Sequence, residues 1–151
     1  MQILQAAVND AENILEVQKQ AFKTEAELYG TLNIAPLTQT IEELRGQFKN
    51  YAILKAVVDG NIVGTVRAFQ KDSTCFVERL AVLPEFRNKG IGTGLMREIE
   101  NYFKPGRFEL FTGAKSVNNI NLYKNLGYTV FKSGQGCGAD VEMVYMEKTV
   151  K

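Results

Sequence analysis

The spacing of hydrophobic and polar positions separates strands from helices along most of the chain. Short runs of bulky and β-branched residues predict strands at 2–8, 51–58, 62–71, 75–83, 107–112, 128–132 and 141–147. Apolar residues three and four apart predict helices over 10–22, from 38 or 40 to 48, from the loop at 87–92 to 103, and over 116–126. The order β-α-α-β-β-β-α-β-α-β-β mixes hairpins with strand-helix-strand units, which favours an α/β chain with a mixed sheet.

Turn and cap residues refine these boundaries. Asp10 and Ser116 stand where helix N-caps are expected, and Gly127 is expected to end the last helix in left-handed geometry. The sequence Asp59-Gly60-Asn61 is typical of a hairpin turn. Residues 23–37 and 133–140 lack a regular period, and we predict irregular segments there.

Composition limits the classes of function. A chain of 151 residues suits one domain, 1–151. With 18 Lys and Arg against 17 Asp and Glu, it lacks the basic excess of nucleic-acid-binding proteins. Residues 1–8 have no basic start of a signal peptide, and no apolar run approaches the roughly 18 residues of a membrane span. We therefore expect a cytoplasmic protein with no nucleic-acid or membrane partner.

The titratable residues limit the chemistry. The chain has no histidine, so a catalytic base must be a carboxylate, Tyr, Lys, Cys or water. Cys75 and Cys137 lack metal-site spacing, and we expect reduced thiols and no metal. Neither cysteine stands in a context that predicts a nucleophile.

The stretch 75–103 carries the most specific signal. A strand ends before Pro84, and a loop containing Arg87, Lys89, Gly90 and Gly92 opens a helix. The start of a helix presents free N–H groups and a positive dipole, and glycines let a ligand approach the main chain. The loop therefore predicts a phosphate site, with positive charge from Arg87 and Lys89.

Three glycine-rich patterns compete for this loop. A P-loop needs a lysine that Gly92-Thr93-Gly94 lacks, and a Rossmann fingerprint places its first glycine directly after the strand. Several residues separate Leu83 from Gly90 here. A tight turn without any ligand is a further possibility.

The third pattern is the run Leu-Ala-Val-Leu-Pro-Glu-Phe-Arg-Asn-Lys-Gly-Ile-Gly at 80–92, which resembles the acyl-CoA-binding motif of the GCN5-related N-acetyltransferase (GNAT) superfamily. The element order resembles the GNAT fold from end to end, which implies a mixed, mostly antiparallel sheet flanked by helices. The resemblance implies transfer of an acetyl group from acetyl-CoA to a primary amine by direct attack in a ternary complex. It leaves the acceptor open, as a small-molecule amine or a peptide, and implies a possible homodimer.

The resemblance also implies a set of cofactor-binding residues. Main-chain groups of Leu80, Ala81 and Val82 would bind the pantetheine arm, in a gap between this strand and the one after it. Backbone N–H groups would bind the pyrophosphate, from Arg87, Asn88, Lys89, Gly90, Ile91, Gly92 and Thr93. The segment 112–128 is similar to a second family motif, which implies that Asn119 contacts the cofactor. It also places Tyr123 as the general acid, whereas simple packing of the ring on the sheet is the alternative.

Glu78 is the leading candidate for the base. It is expected on the strand face that carries Leu80 and Val82, and the alternative is a solvated or Arg67-paired carboxylate. Glu25 and Glu27 are rivals in the segment expected to cover the acceptor pocket, with Phe22 and Tyr29 as lining. The alternatives of other classes are a non-catalytic acyl-CoA-binding sensor or regulatory module and a simple nucleotide-binding domain.

Overall fold

The computed structural model describes residues 1–135 and 141–150. The strands in these residues are β1 (Gln2–Gln5), β2 (Ala52–Val58), β3 (Asn61–Lys71), β4 (Thr74–Val82), β5 (Arg107–Gly113), β6 (Thr129–Gln135) and β7 (Glu142–Thr149). The helices are α1 (Ala11–Tyr29), α2 (Ala35–Thr38), α3 (Ile41–Gln47), α4 (Ile91–Glu100) and α5 (Val117–Asn125), with 3-10 turns at Val8–Asp10 and Pro84–Phe86. No helix of the described part is both long and apolar enough to cross a membrane.

The strands of the described residues form one sheet in the order β1-β2-β3-β4-β5-β7-β6. Only β4 and β5 pair in parallel, and every other neighbouring pair is antiparallel. The sheet is therefore mixed and mostly antiparallel, which confirms the predicted fold class. The parallel pair is joined by α4, because parallel neighbours need a crossover connection.

Both faces of the sheet carry an apolar cluster. On one face Leu95, Met96 and Ile99 of α4 pack on Leu54 and Val66 of the central strands. On the other face Ile14 of α1 and Leu44 of α3 pack on Ile53 of β2. Each strand in the middle of the sheet is covered on both sides, so its backbone is held in place for the site described below.

The first helix is longer than the sequence pattern predicts. The segment expected to be irregular from residue 23 instead continues α1 to Tyr29, where Gly30 ends it at φ 66°. The prediction was wrong because residues 25–28 are good helix formers, and Ala26 is buried on the same helix against the third apolar cluster. Beyond Gly30, one further turn of helix forms at α2.

Two predicted caps are used differently in the structure. Asp10 does not cap α1; its carboxylate accepts from the Ala7 N–H and from Lys55 Nζ, both at 2.9 Å. Ser116 does not cap α5 with its side chain either. Thr40 does cap α3, because its hydroxyl accepts from the Glu43 N–H at 3.2 Å in a capping box.

Turn predictions agree with the backbone. Asp59 and Gly60 both have positive φ, 51° and 79°, as a two-residue hairpin of this hand requires. Gly127 follows α5 at φ 99°. Some boundaries shift: β1 ends at Gln5, α4 ends at Glu100 and β6 continues to Gln135, while the rest of the loop predicted at 133–140 lies outside the described residues.

Replacing Leu95 with alanine should strongly destabilise the protein. Leu95 is fully buried in the main cluster, and removing such a side chain costs about 2–5 kcal/mol because of the cavity left behind. Urea unfolding measures the loss, with the exposed Arg97→Ala on the same helix as the control. Arg97→Ala should stay within about 0.5 kcal/mol of the parent. Equal losses in both variants would contradict the assigned core.

Candidate active site

The site begins where β4 and β5 separate. Their parallel register covers only residues 74–76 against residues 107–109. Further along β4, Thr65 of β3 pairs with Ala81 and Arg67 pairs with Glu78, so two residues of β4 oppose one of β3. This is a β-bulge, and Arg79 within it has φ 56°. A bulge bends its strand, which accounts for the opening on the β5 side.

The bulge also changes which face each side chain takes. Cys75 and Val77 pack in the α4 cluster, and after the bulge Leu80 and Val82 pack there too. Glu78 lies on the opposite face, paired with Arg67, whose side chain contacts Gln47 of α3. The expectation that Glu78 shares a face with Leu80 and Val82 was therefore wrong, because simple alternation does not hold through a bulge.

Glu78 is held by an ion pair. The Arg67 guanidinium donates to Glu78 Oε1 from Nη2 at 2.9 Å and from Nε at 3.2 Å. The Arg67 side chain is only 6% exposed and that of Glu78 is 22% exposed. The ion pair with Arg67, which was one of the predicted alternatives for Glu78, is observed.

A groove of ≈ 540 Å³ extends from the opening to the start of α4. It is bounded by α1, β4, the loop before α4 and the start of α5. All predicted cofactor-binding residues line it except Lys89, which is exposed: Leu80, Ala81, Val82, Arg87, Asn88, Gly90, Ile91, Gly92, Thr93 and Asn119. The structure thus brings the predicted residues of 80–93 together with Asn119, which lies far from them in sequence.

The loop amides at the mouth of this groove are free of the protein's own carbonyls. Within the described ranges, the N–H groups of residues 88–93 donate to no backbone or side-chain acceptor, whereas Gly94 donates to the Gly90 carbonyl at 3.0 Å. The Arg87 N–H donates to the Pro84 carbonyl at 3.4 Å, so it is an exception within the predicted set. Six consecutive N–H groups at a helix start are therefore unpaired donors, as in sites that bind an anion.

The positive charge around the groove is distributed differently from the prediction. The Arg87 guanidinium donates to the Val82 carbonyl at 3.3 Å and to the Ala21 carbonyl at 2.9 Å, so it ties the loop to β4 and α1. Lys89 Nζ lies over the Phe86 ring at 5.4 Å. Lys115 lines the groove from the other side, before α5. Sequence reasoning missed Lys115, although it precedes the helix of the second motif directly.

A smaller pocket of ≈ 70 Å³ adjoins the groove. Apolar and aromatic side chains form much of its wall: Phe22, Tyr29, Ile34, Pro36, Phe111, Val141 and Met143. Phe22 and Tyr29 were predicted there. Four residues line both spaces, namely Phe22, Glu25, Leu80 and Asn119. The two spaces therefore meet at the opening between β4 and β5.

Glu25 lies at this junction on α1. Its Oε2 accepts a hydrogen bond from the Ser116 hydroxyl, and its Oε1 accepts from Asn119 Nδ2 at 3.3 Å. The residue that was expected to cap α5 therefore joins α1 to α5 instead. Glu27, the other rival for the base, is exposed on α1 and lines neither space.

Tyr123 reaches the same junction from α5. It lines the smaller pocket, is only 6% exposed, and packs edge-on against Tyr128 with ring centroids 6.1 Å apart. Burial, and then the negative charge of Glu25, raise the pKa of the Tyr123 phenol. The phenol is therefore protonated at neutral pH and can donate a hydrogen bond into the pocket.

Cys75 is unsuited to covalent chemistry. Its thiol is fully buried in the main cluster, and burial, together with the charge of Glu100, raises its pKa to about 12. A thiol in that state is not a nucleophile at neutral pH. Cys137 lies outside the described residues.

The fold and the site together combine an opened sheet with a helix start whose free amides suit a phosphate group. Residues 12–128 match the Acetyltransferase (GNAT) family, and the chain belongs to that family. The resemblance to the GNAT superfamily is thereby confirmed.

Relatives of known name match over much of the chain. The uncharacterized N-acetyltransferase YjcF of Bacillus subtilis is 27% identical over 134 residues, covering 88% of this chain and 93% of its own length. The UPF0157 protein YqkA of the same organism is 23% identical over 145 residues, covering 93% of this chain. The chain spans only 42% of YqkA.

A solved structure has the same fold. The paia N-acetyltransferase from Thermoplasma acidophilum, in complex with coenzyme A, superposes with a TM-score of 0.81 at 19% identity. The match covers 99% of this chain and 98% of that one.

Proposed function

We propose that this protein is an N-acetyltransferase that moves the acetyl group of acetyl-CoA to a primary amine by direct attack in a ternary complex. The observation that carries the proposal is the continuous path from unpaired amides at residues 88–93 to the gap between β4 and β5. The coenzyme A bound in the paia N-acetyltransferase, which shares the fold, supports acetyl-CoA as the donor.

The loop amides would hold the diphosphate of the donor. A diphosphate accepts hydrogen bonds from several N–H groups at once, and the helix dipole of α4 favours its negative charge. Of the predicted set, the N–H groups from Asn88 to Thr93 would bind it, whereas the Arg87 N–H already donates to the Pro84 carbonyl. Lys115, on the facing wall, adds a mobile positive charge.

The β5-facing edge of β4 would hold the pantetheine arm. The arm carries amides, so it can pair with the main chain of Leu80, Ala81 and Val82 as an added strand does. The pairing of β4 with β5 ends at residue 76, which leaves the edge of β4 beyond that residue available to the arm. Asn119 faces the same groove, although its amide already donates to Glu25.

Tyr123 would act as the general acid. The amine lone pair forms a C–N bond to the carbonyl carbon, the C–S bond breaks, and the departing sulfur takes a proton from the Tyr123 hydroxyl. A backbone N–H near the bulge would stabilise the charge that develops on the carbonyl oxygen. The buried thiol of Cys75 provides no acetyl-enzyme route, which favours direct transfer.

The acceptor would be a small-molecule amine or a peptide, and copies of the chain would pair as a homodimer. Support for pairing comes from β6, an edge strand of the described sheet with Val130 45% and Phe131 38% exposed. Sedimentation should give a dimer that Phe131→Lys dissociates, with Thr129→Lys on the same strand as the control. A monomer at every concentration would refute the pairing.

Thiol release from acetyl-CoA tests the proposed activity. Purified protein is mixed with acetyl-CoA and single primary amines, and free thiol is followed with a chromogenic disulfide. The proposal predicts amine-dependent release together with an acceptor that gains the mass of one acetyl group. Tight acetyl-CoA binding without release for any amine would instead indicate a non-catalytic acyl-CoA-binding module.

A further inference from the structure

One carboxylate is common to the two spaces of the site in the described residues. Glu25 lines the groove and also the smaller pocket, whereas Glu78 lines the pocket alone. An acceptor entering from the pocket and a thioester entering from the groove would therefore meet beside Glu25. A carboxylate at this position lies where the amine of the acceptor must lose a proton before it attacks the thioester.

The surroundings of Glu25 leave it able to receive a proton. Its partners are two neutral donors, the Ser116 hydroxyl and the Asn119 amide, and an ionised carboxylate accepts about four hydrogen bonds. Glu78 differs because its Oε1 accepts two bonds from one guanidinium. That oxygen of Glu78 is thus already held by Arg67, and Glu78 does not line the groove from which the thioester would enter.

The wall beyond Glu25 indicates the kind of acceptor. Phe22, Tyr29, Ile34, Phe111 and Met143 surround a space of ≈ 70 Å³, which suits a compact apolar group. Glu78 and Arg79 also line this space, but the Glu78 carboxylate is already paired with Arg67. A long polyamine would therefore place further ammonium groups against a largely apolar wall, at a desolvation cost. A small apolar group with one amino nitrogen avoids that cost.

We propose that Glu25 binds the ammonium group of the acceptor and removes its proton, and that the acceptor is a primary amine on a compact apolar or aromatic group. This inference rests on the proposed function and names the base and the acceptor class for the same site. Glu78 then serves as a positioning residue that holds Arg67 and the bulge in place.

The proton balance is complete with the groups present. The acceptor nitrogen loses one proton to the Glu25 carboxylate before attack, and Glu25 returns it to solvent. As the C–S bond breaks, the sulfur gains a proton from Tyr123, and the second proton of the nitrogen passes to the Tyr123 oxygen and restores the phenol. The products are an amide, the free thiol of coenzyme A and one proton released to solvent.

Other titratable groups face the same spaces. They are Tyr29 on α1, Glu78 and Arg79 on β4, Arg87 in the loop, Lys115 before α5 and Tyr123 on α5. Arg79 Nη1 donates to Gln39 Oε1 at 3.1 Å, and Arg87 is bound to two carbonyls.

The test compares Glu25→Gln with Glu27→Gln, the exposed glutamate on the same helix. Wild type, both variants and Ser116→Ala are assayed for thiol release from acetyl-CoA with benzylamine, isobutylamine and spermidine between about pH 6 and 9. Acetyl-CoA affinity is measured in parallel by calorimetry. Ser116→Ala removes one bond between α1 and α5 but keeps the charge of Glu25.

Glu25→Gln should bind acetyl-CoA as wild type does and lose about a hundredfold in kcat/KM for benzylamine at pH 7. Without the base, only the neutral form of the amine can react. The kcat/KM of Glu25→Gln should therefore rise about tenfold for each pH unit, and its difference from wild type should shrink as the pH rises. Glu27→Gln should match wild type, and Ser116→Ala should keep the shape of the wild-type pH profile. Benzylamine and isobutylamine should be better acceptors than spermidine.

Three results would overturn the inference while leaving the proposed function in place. The first is wild-type activity in Glu25→Gln with an unchanged pH profile, and the second is a preference for spermidine. The third is an altered pH profile that Glu25→Gln and Ser116→Ala share, because Glu25 would then only link α1 to α5. Absence of thiol release from wild type with every amine would contradict the proposed function itself.

Discussion

Replacing Gly90 with glutamate should weaken acetyl-CoA binding about a thousandfold, which corresponds to about 4 kcal/mol. Gly90 precedes α4 at φ 81°, in the middle of the unpaired amides, and its Cβ position is open. A carboxylate there would repel the diphosphate and compete for the same donors, each worth about 1.5–3 kcal/mol to a charged acceptor. Calorimetry with acetyl-CoA measures the loss.

Gly60→Glu is the matched control for this variant. Gly60 has φ 79° and an equally open Cβ position, so glutamate meets the same backbone strain there. It lies in the hairpin between β2 and β3, away from the groove. Both variants should lose similar stability, and only Gly90→Glu should lose affinity. Retained affinity in Gly90→Glu would show that the loop does not hold the donor.

Tyr123→Phe should lower kcat about 10²–10⁴-fold and leave acetyl-CoA affinity unchanged. The phenol is buried at the junction, and its raised pKa keeps it protonated throughout the accessible pH range. Phenylalanine keeps the edge-on packing against Tyr128 but removes the proton donor. Single-turnover kinetics with saturating acetyl-CoA isolate the chemical step.

A control on the neighbouring tyrosine separates chemistry from packing. Tyr128→Phe also removes a buried hydroxyl, the one that donates to Glu100 at 2.6 Å. Tyr128 lines neither space of the site, so this variant should lose stability and keep its turnover. A Tyr123→Phe enzyme with wild-type turnover at all pH values would remove Tyr123 from the mechanism and leave it as a packing residue.

Much of the fold was predictable because local rules dominate it. The strands have bulky periodic runs, and the hairpin at Asp59 and Gly60 and the helix end at Gly127 follow from residues that tolerate positive φ. The free amides of residues 88–93 were predictable because a helix start leaves its first N–H groups without partners and Gly90 adopts positive φ easily. These features need no knowledge of distant contacts.

The features that were not predictable depend on contacts between distant residues. The bulge at Arg79 occurs in a run without glycine, so nothing local marks where alternation breaks and Glu78 changes face. Ser116 and Glu25 are separated by most of the chain, and only the folded sheet brings α1 and α5 together. Asp10 likewise binds Lys55 of β2, so its role as a cap was overridden by tertiary contacts.

The account depends on the unpaired amides of residues 88–93 and the opened strand beside them. An NMR titration of ¹⁵N-labelled protein with acetyl-CoA observes these groups directly. The largest amide shifts should come from residues 88–93, followed by Leu80, Ala81 and Val82. Saturable binding that leaves those amides unshifted, and moves others outside the groove, would contradict the account.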